Sequence, residues 1–160
     1  MPNYVRSRVA GGTYFFTVVT RDRRPVLTDD ACRGALRAAV LSTRQRWPFT
    51  VDAWVLLPGH LHCIWTLPSG DADFSKRWSA TKRMTSQALG RSVWQPRFWE
   101  HSIRDESDLQ RHMDYLHGNP VKHGYVPRAI DWPYSTFHRY VALGRYAADW
   151  YDTAPDEDWD

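Results

Sequence analysis

The sequence predicts an α+β fold in which helices pack on a small antiparallel sheet, close to a ferredoxin-like (split βαβ) layout. Two observations support this. Strand-like and helix-like segments follow one another in the order β-α-β-β-α-β-α. The two middle strands are joined only by Pro58-Gly59, and strands joined by such a tight turn cannot be parallel neighbours. The length of 160 residues, 42% of them hydrophobic, suits one domain with a real core.

The first part of the chain supplies two strands and a helix. Residues 13–20, TYFFTVVT, are rich in β-branched and aromatic side chains and predict a strand. Residues 29–46 carry apolar side chains at helical spacing, with Asp29 or Asp30 as the candidate N-cap. Residues 50–57, TVDAWVLL, are apolar on both faces near their end, which predicts a central strand.

The middle of the chain continues the alternation. Residues 60–67, HLHCIWTL, predict the third strand, directly after the Pro-Gly turn. Residues 74–89 predict a helix that ends at Gly90, because glycine accepts the left-handed conformation of a helix C-cap. Residues 97–103, RFWEHSI, predict the fourth strand.

The last third predicts two helices. Ser107 with Gln110 fits a capping box and opens a helix over residues 108–118. A glycine and then an asparagine before proline end this helix, because the residue before a proline is restricted to extended backbone. Residues 134–144, YSTFHRYVALG, predict a short closing helix.

Charge divides the chain into two parts. All 21 Lys and Arg residues precede position 146, together with 12 of the 18 acids, so this part carries a net charge of +9. Such a body suits a polyanionic partner. We expect a single domain over residues 1–146 and an acidic, mobile tail over residues 147–160. The tail either only solubilises the protein or folds back and competes with a polyanion for the basic face.

Nothing in the sequence predicts secretion or a membrane span. No apolar run approaches the roughly 18 residues that a transmembrane helix needs, and the N-terminus lacks the apolar stretch of a signal peptide. The two cysteines, Cys32 and Cys63, do not make a disulfide framework. We therefore expect a cytoplasmic protein.

Two histidines separated by one residue, His60 and His62, are the first candidates for chemistry. Side chains alternate along a strand, so both imidazoles point to one face, with Cβ atoms roughly 7 Å apart. The opposite face is apolar and consists of Leu61, Cys63, Trp65 and Leu67. Two neutral imidazoles on one rigid strand can hold a divalent ion. The alternative is a pair of partly exposed histidines without a ligand, so the metal hypothesis needs a third ligand and a reacting group.

The helix predicted over residues 108–118 supplies candidates for both. Its core stripe consists of apolar residues at helical spacing, Leu109, Met113 and Leu116. Tyr115 lies off this stripe, and Asn119 would sit one turn later over the same flank. A half-exposed helix tyrosine is common, so Tyr115 alone predicts little. Asp108 and His112 share the flank and are alternative ligands.

Together these segments resemble a known family. The stretch LPGHLHCIW (57–65), followed by WQPRFWEHSIRDESDLQRHMDYLHGNPVKHGYV (94–126), is similar to the REP-associated tyrosine transposases, a branch of the single-tyrosine HUH transposases. The HUH motif, histidine-bulky apolar-histidine, corresponds to His60-Leu61-His62. The family pattern around the tyrosine is matched from Tyr115 to Val126. The resemblance spans roughly residues 3–140, most of the chain.

The resemblance implies an activity and a site. The two histidines would hold Mg²⁺ or Mn²⁺, with Asn119 completing the metal site. Tyr115 would attack a phosphate of single-stranded DNA and leave a 5′-phosphotyrosine link and a free 3′-OH. The target would be a hairpin from repetitive extragenic palindromes, and the protein would be a monomer or a homodimer in a bacterial cytoplasm, associated with the nucleoid.

The same resemblance favours DNA contacts by basic residues along the chain. Those expected to contact DNA are Arg6, Arg8, Lys76, Arg77, Lys82, Arg83, Arg97, Arg104, Lys122 and His123. Charge runs on a helix are often only its solvated face, and Lys122 and His123 fit a solvated loop equally well.

Two other functions remain open at this point. One is a domesticated protein that holds repeated hairpins without cutting them, for which the +9 body suffices. The other is a hydrolytic metallonuclease in which water attacks the phosphate. The two differ from the transposase hypothesis in whether Tyr115 is needed and whether a covalent adduct forms.

Overall fold

A computed structural model describes residues 11–151 as four strands and four α-helices. The strands are β1 (Thr13–Val19), β2 (Thr50–Leu56), β3 (His60–Thr66) and β4 (Trp99–Ser102). The helices are α1 (Asp30–Arg46), α2 (Phe74–Leu89), α3 (Glu106–Lys122) and α4 (Phe137–Ala142).

The four strands form one sheet in the order β2-β3-β1-β4, and every neighbouring pair is antiparallel. Helix α1 carries the chain from β1 to β2 past β3, and α2 carries it from β3 to β4 past β1. Each crossover therefore skips one strand, which is the split βαβ arrangement. The predicted fold class is confirmed, and the two histidines lie on a central strand.

One face of the sheet is closed by α1 and α2. The apolar residues that the strand alternation assigned to this face, including Leu61, Cys63 and Trp65, are buried there. Trp65 stacks on Trp78 of α2 with ring centroids 4.2 Å apart. Burial of such large rings dominates the energy of this core. This face provides stability, and its aromatic residues are largely withdrawn from solvent.

Helix α3 covers the opposite face. Met113 and Leu116 of α3 pack with Phe15, Val55 and Ile64 of the sheet in a second, smaller apolar cluster. This cluster occupies only part of the face. The remaining part, towards the start of β3, holds the histidine pair.

The boundaries of α3 differ from the prediction at both ends. The helix begins at Glu106, and the N-cap is Asp105, whose carboxylate accepts a hydrogen bond from the Asp108 N–H at 2.7 Å; the Ser107–Gln110 capping box is wrong. The helix also continues through Pro120 to Lys122. Proline inside a helix removes one backbone hydrogen bond, but Asn119 and Pro120 are buried, and this packing outweighs the local restriction.

The fourth strand is shorter than predicted because only part of β1 is available to pair with it. β4 pairs with Tyr14 to Thr17 of β1, and the next part of β1 is bonded elsewhere: the Gln95 N–H donates to the Val19 carbonyl at 3.0 Å. Residues 96–98 connect these two pairings and lie outside β4. The predicted C-cap of α2 is confirmed, since Gly90 has φ of +67°.

The expected acidic tail lies mostly outside the described residues, and the division at position 146 stays a prediction. The start of this segment is described: Trp150 packs against Tyr146 and Phe137, with ring centroids 4.6 and 5.7 Å away. Among residues 11–151, no helix is long and apolar enough to cross a membrane.

Candidate active site

The two histidines of β3 face α3, as the strand alternation requires. Their ring centroids are 5.0 Å apart. The antiparallel register places Thr17 of β1 directly across from His62, and the Thr17 Oγ1 lies 2.9 Å from His62 Nδ1. When Nδ1 donates to this hydroxyl, the lone pair of the imidazole lies on Nε2, which is the form that a metal ligand requires. The cross-strand threonine thus orients the ring.

Burial keeps both imidazoles neutral near pH 7. Burial lowers the pKa of His60 to about 4; the positive charges of His123 and Arg23 add to the shift, and the neighbouring amide of Asn119 opposes it. Burial also lowers the pKa of His62 well below its usual range, and His60, His123 and Lys122 reinforce the effect. Neutral imidazoles are the form that binds cations.

Several polar atoms beside this pair lack a partner. His62 is 3% exposed and Asn119 of α3 is fully buried. By hydrogen-bond geometry, neither His62 Nε2 nor the amide oxygen and nitrogen of Asn119 is paired within the described residues, although the amide lies close enough to His60 to raise the pKa of that imidazole. A buried polar group left unpaired costs about 1–3 kcal/mol. A nitrogen and an oxygen kept in this state, beside a second histidine, fit a divalent cation.

Tyr115 lies next to this group, as the sequence predicted. Its ring centroid is 5.3 Å from that of His62 and 6.0 Å from that of Phe15. The Lys122 Nζ lies 5.3 Å from the centroid of the same ring, from a position two turns further along α3. Helix α3 therefore delivers a tyrosine, an amide and an ammonium group to the histidine pair.

An open cleft of about 200 Å³ lies beside Tyr115. It is lined by Phe15, Thr17, Trp99, His112 and Tyr115. None of the five carries a carboxylate, so the cleft itself does not repel an anion. It gives the tyrosine a side open to a ligand.

A second group of potential ligands, His101, Asp108 and His112, lies at the β4 side of this cleft. Their ligand atoms all lie within 4.8 Å of one another, so the group could hold a metal ion. The sequence suggested His112 and Asp108 as alternative ligands but missed His101; His101 and Trp99 alternate onto the α3 face of β4, which is the pattern that could have found it.

Several atoms of this second group are already engaged with one another, although Asp108 Oδ1 has no hydrogen-bond partner among the described residues. His101 Nε2 lies 2.8 Å from Asp108 Oδ2, which also accepts from the Arg104 N–H at 2.9 Å. Burial alone would raise the pKa of Asp108, but the hydrogen bonds from His101 and Arg104 hold it below its usual range. The rings of His101 and His112 stack with 15° between their planes. In-plane lone pairs of parallel rings do not converge on one point, which disfavours a single ion bound by both imidazoles.

The expected DNA contact at Arg77 is wrong. This side chain is 1% exposed. It forms an ion pair with Asp71, 2.8 Å between Nη2 and Oδ2, and donates to the backbone carbonyls of Trp47, Pro48 and Asp73. The helical charge run gave no hint of this, because Arg77 lies beside the core stripe of α2, where a long side chain can turn inward. Its role is structural.

The remaining basic candidates differ in their exposure and in the contacts that they make. Arg83, Arg97, Arg104 and His123 are exposed. Lys76 and Lys82 are half-buried, and the Lys82 ammonium donates to the Gln95 carbonyl at 2.6 Å. The His123 ring lies 5.4 Å from that of His60, so it borders the histidine pair. Arg6 and Arg8 lie outside the described residues.

Fold and site together define a class: α+β proteins in which a central strand presents two histidines to a tyrosine on a helix. No family model matches the chain. A REP-associated tyrosine transposase from Escherichia coli (strain K12) is 51% identical over 151 residues, 94% of this chain and 91% of the relative. A relative from Haemophilus influenzae (strain ATCC 51907 / DSM 11121 / KW20 / Rd), whose description gives the same family, is 40% identical over 166 residues, 94% of this chain and 93% of the relative.

A solved structure supports the same assignment. The REP-associated tyrosine transposase bound to a REP hairpin superposes with a TM-score of 0.91 and 48% identity, over 99% of this chain and 95% of that chain. The chain belongs to the REP-associated tyrosine transposases, a family of DNA-processing enzymes. The resemblance seen in the sequence is confirmed.

Proposed function

We propose that this protein binds palindromic DNA hairpins and cuts and rejoins the single-stranded DNA beside them, with Tyr115 as the nucleophile. The observation that carries the proposal is the Tyr115 ring 5.3 Å from His62, whose buried Nε2 has no hydrogen-bond partner among the described residues. The hairpin is supported by the 48% identical relative, which was solved bound to a REP hairpin.

His60, His62 and Asn119 would hold a divalent cation, Mg²⁺ or Mn²⁺. The unpaired His62 nitrogen and Asn119 oxygen fit it, since imidazole nitrogen and amide oxygen are accepted ligands of these ions. When bound, the metal supplies Lewis-acid neutralisation of the charge that develops on the phosphoryl oxygens.

Side chains of this chain carry out the other steps of the reaction. The Tyr115 Oη forms a bond to phosphorus in line with the P–O3′ bond, which breaks. The phenol gives up its proton, and the departing 3′ oxygen takes one up, so the products are a 5′-phosphotyrosine and a free 3′-OH. We assign to the Lys122 ammonium, which lies 5.3 Å from the centroid of the Tyr115 ring, a contact with the same phosphate. Because no water attacks, the bond energy is retained and the reverse reaction rejoins the strand.

Basic residues outside the active site would hold the hairpin backbone. Phosphate contacts fix the register of a nucleic acid on a protein without reading its sequence. We assign this role to the basic candidates other than Arg77, namely Lys76, Lys82, Arg83, Arg97, Arg104 and His123, and extend it to Arg6 and Arg8. Because one chain contributes both the histidine pair and Tyr115, we propose that a monomer is sufficient, acting in the cytoplasm.

The test uses the full-length protein and an oligonucleotide that carries a palindromic repeat from beside its coding region, with single-stranded flanks. With Mn²⁺, a label at the 3′ end should transfer to the protein and survive denaturing electrophoresis, because the 3′ product carries the 5′-phosphate. Tyr115→Phe should abolish the adduct, a loss of at least about 1,000-fold, because it removes the phenol oxygen that would form the link. Tyr125→Phe is the matched control, since Tyr125 is an exposed tyrosine in the loop after α3.

The contrary outcomes separate the rival functions. Cleavage that Tyr115→Phe retains, without an adduct, indicates a hydrolytic metallonuclease. Tight hairpin binding without any cleavage, with metal present, indicates a binding protein. Either result overturns the proposed chemistry and leaves the family assignment unaffected.

A further inference from the structure

The cleft beside Tyr115 contains a large aromatic side chain that the reaction does not use. Trp99 of β4 lines this cleft and is 43% exposed. Trp65 of β3 and Trp78 of α2 are buried in the opposite core, and Trp54 of β2 is half-buried against it. An indole that lies open beside a nucleophile presents a flat apolar face where a substrate strand would pass.

Strand register fixes the distance between Trp99 and the metal ligands. Trp99 pairs with Thr17, and Thr17 pairs with His62, so the three side chains form one row across β4, β1 and β3. All three point to the α3 face. Two strand spacings separate Trp99 from His62, which is roughly 10 Å. A nucleotide that places its phosphate at His62 and Tyr115 can therefore place a neighbouring base over Trp99.

The indole is supported from behind by two further rings. His101 stacks on Trp99 with 7° between their planes, and His112 stacks on His101 with 15° between planes. Asp108 contacts both imidazoles: its carboxylate Oδ2 lies 2.8 Å from His101 Nε2, and its backbone carbonyl lies 2.8 Å from His112 Nδ1. Phe15 contacts the indole edge-on, with centroids 5.9 Å apart. The interlocked group gives Trp99 a fixed orientation, which reduces the entropy lost on binding.

We propose that Trp99 is the stacking surface for one unpaired nucleobase next to the scissile phosphate. The inference rests on the proposed function and identifies a substrate-positioning residue for it. A nucleobase is the occupant that fits: the cleft has an aromatic wall, no carboxylate among its lining residues, and Tyr115 at the position of the adjoining phosphate. Base–aromatic stacking contributes about 1–3 kcal/mol per base, which corresponds to about 5- to 150-fold in affinity. The His101–Asp108–His112 cluster then acts as a support for the indole.

The test combines variants of Trp99 with DNA substrates that each lack one base. A series of oligonucleotides, each with one abasic position around the cleavage point, is cleaved by wild type and by Trp99→Ala. Trp99→Ala should lose at least about 5-fold in rate on intact DNA, and Trp99→Phe should restore most of it. At one position, the abasic site should cost wild type the same factor and cost Trp99→Ala nothing further. Leu143→Ala, an exposed apolar side chain on the turn after α4, is the control.

The same series is measured by binding to the Tyr115→Phe variant, with and without Trp99→Ala, so that cleavage is not required. Equal losses from Trp99→Ala at every abasic position, in both assays, would show that Trp99 acts only through folding and would overturn the proposal. If wild type fails to cleave but binding still shows the coupling at one base, the stacking role stands and the proposed chemistry fails.

Discussion

The two faces of the sheet differ in how they are packed and in how their buried polar groups are paired. The face under α1 and α2 is filled by large aromatic and aliphatic side chains, and its one buried arginine, Arg77, satisfies its donors with Asp71 and three carbonyls. The face under α3 leaves a histidine nitrogen and a whole amide without partners and keeps an open cleft. The first face stabilises the fold, and the second gives up stability to hold groups ready for a ligand.

Paired polar groups, such as those of Arg77, stabilise structure and offer nothing to a substrate. Unpaired buried polar groups cost free energy on either face, and the face under α1 and α2 also contains two, the indole N–H groups of Trp78 and Trp94. Those of His62 and Asn119 differ because they lie together beside a second histidine, where one cation would satisfy both. The distinction predicts opposite responses to mutation on the two faces.

The largest effect on stability is expected on the face under α1 and α2. Arg77→Ala removes the partner of Asp71 and leaves three carbonyls without a donor, so we expect the free energy of unfolding to fall by about 3 kcal/mol, the lower end for a broken buried pair because Asp71 is partly exposed. Urea denaturation measures this loss. Below the unfolding transition, hairpin affinity should be unchanged.

Arg83→Ala on the same helix is the matched control, because its side chain is exposed. Its stability should change by less than about 0.5 kcal/mol, while the salt dependence of hairpin binding becomes shallower by about one unit of slope. Should Arg77→Ala fold as stably as wild type yet lose hairpin affinity, the structural role assigned to Arg77 would be wrong.

The face under α3 should respond in the opposite way, with stability kept and activity lost. Asn119→Leu replaces an unpaired amide by an apolar group of similar volume, so we expect the free energy of unfolding to stay equal or to rise by about 1 kcal/mol. Cleavage should fall by at least about 100-fold, because a ligand oxygen is lost.

A binding measurement separates these effects. Mn²⁺ should raise the melting temperature of wild type and of Asn119→Asp, which keeps an oxygen, and should not raise that of Asn119→Leu. An equal Mn²⁺ shift in all three proteins would remove Asn119 from the metal site. A large loss of stability in Asn119→Leu would mean that the amide is a structural group.

The sequence was sufficient for the parts of this architecture that depend on local pattern. The period of two along β3 places His60 and His62 opposite Leu61, Cys63 and Trp65 without any knowledge of the fold. Gly90 ends α2 for a local reason as well. The off-stripe position of Tyr115 was readable from helical spacing, since three turns of α3 are enough to define the stripe.

Features that depend on tertiary contacts could not be predicted from the sequence. The continuation of α3 through Pro120 reflects burial, which overrides the local preference. The inward turn of Arg77 requires Asp71 and the carbonyls near residue 48, which the fold brings from outside α2. Thr17 and Trp99 become site residues only through the registers of β1 with β3 and β4, which no single strand reveals.

The smallest predicted effect concerns the support of α3 on the open face. His117 is buried between Thr136, with Nε2 to Oγ1 at 2.8 Å, and Tyr146, with Nδ1 to Oη at 3.2 Å. Burial, reinforced by Arg139, lowers the pKa of His117 to about 3. The folded protein therefore binds fewer protons than the unfolded chain between pH 6.5 and about 3, so stability falls as pH falls through this window.

His117→Gln should reduce this dependence by up to about 1.4 kcal/mol per pH unit, the value for one proton. At pH 7.5 the variant should be less stable than wild type, because two hydrogen bonds are weakened, and the difference should narrow as pH falls below 6.5. Thr136→Val breaks the contact with His117, and also the hydrogen bond from the Trp54 N–H, without removing the titrating group, so the stability it loses should be nearly the same at every pH. Parallel pH profiles for wild type and His117→Gln in urea titrations would show that the imidazole does not titrate between the folded and unfolded states. The acid sensitivity of the α3 face would then have to come from the other histidines whose pKa burial lowers, His60, His62 and His112.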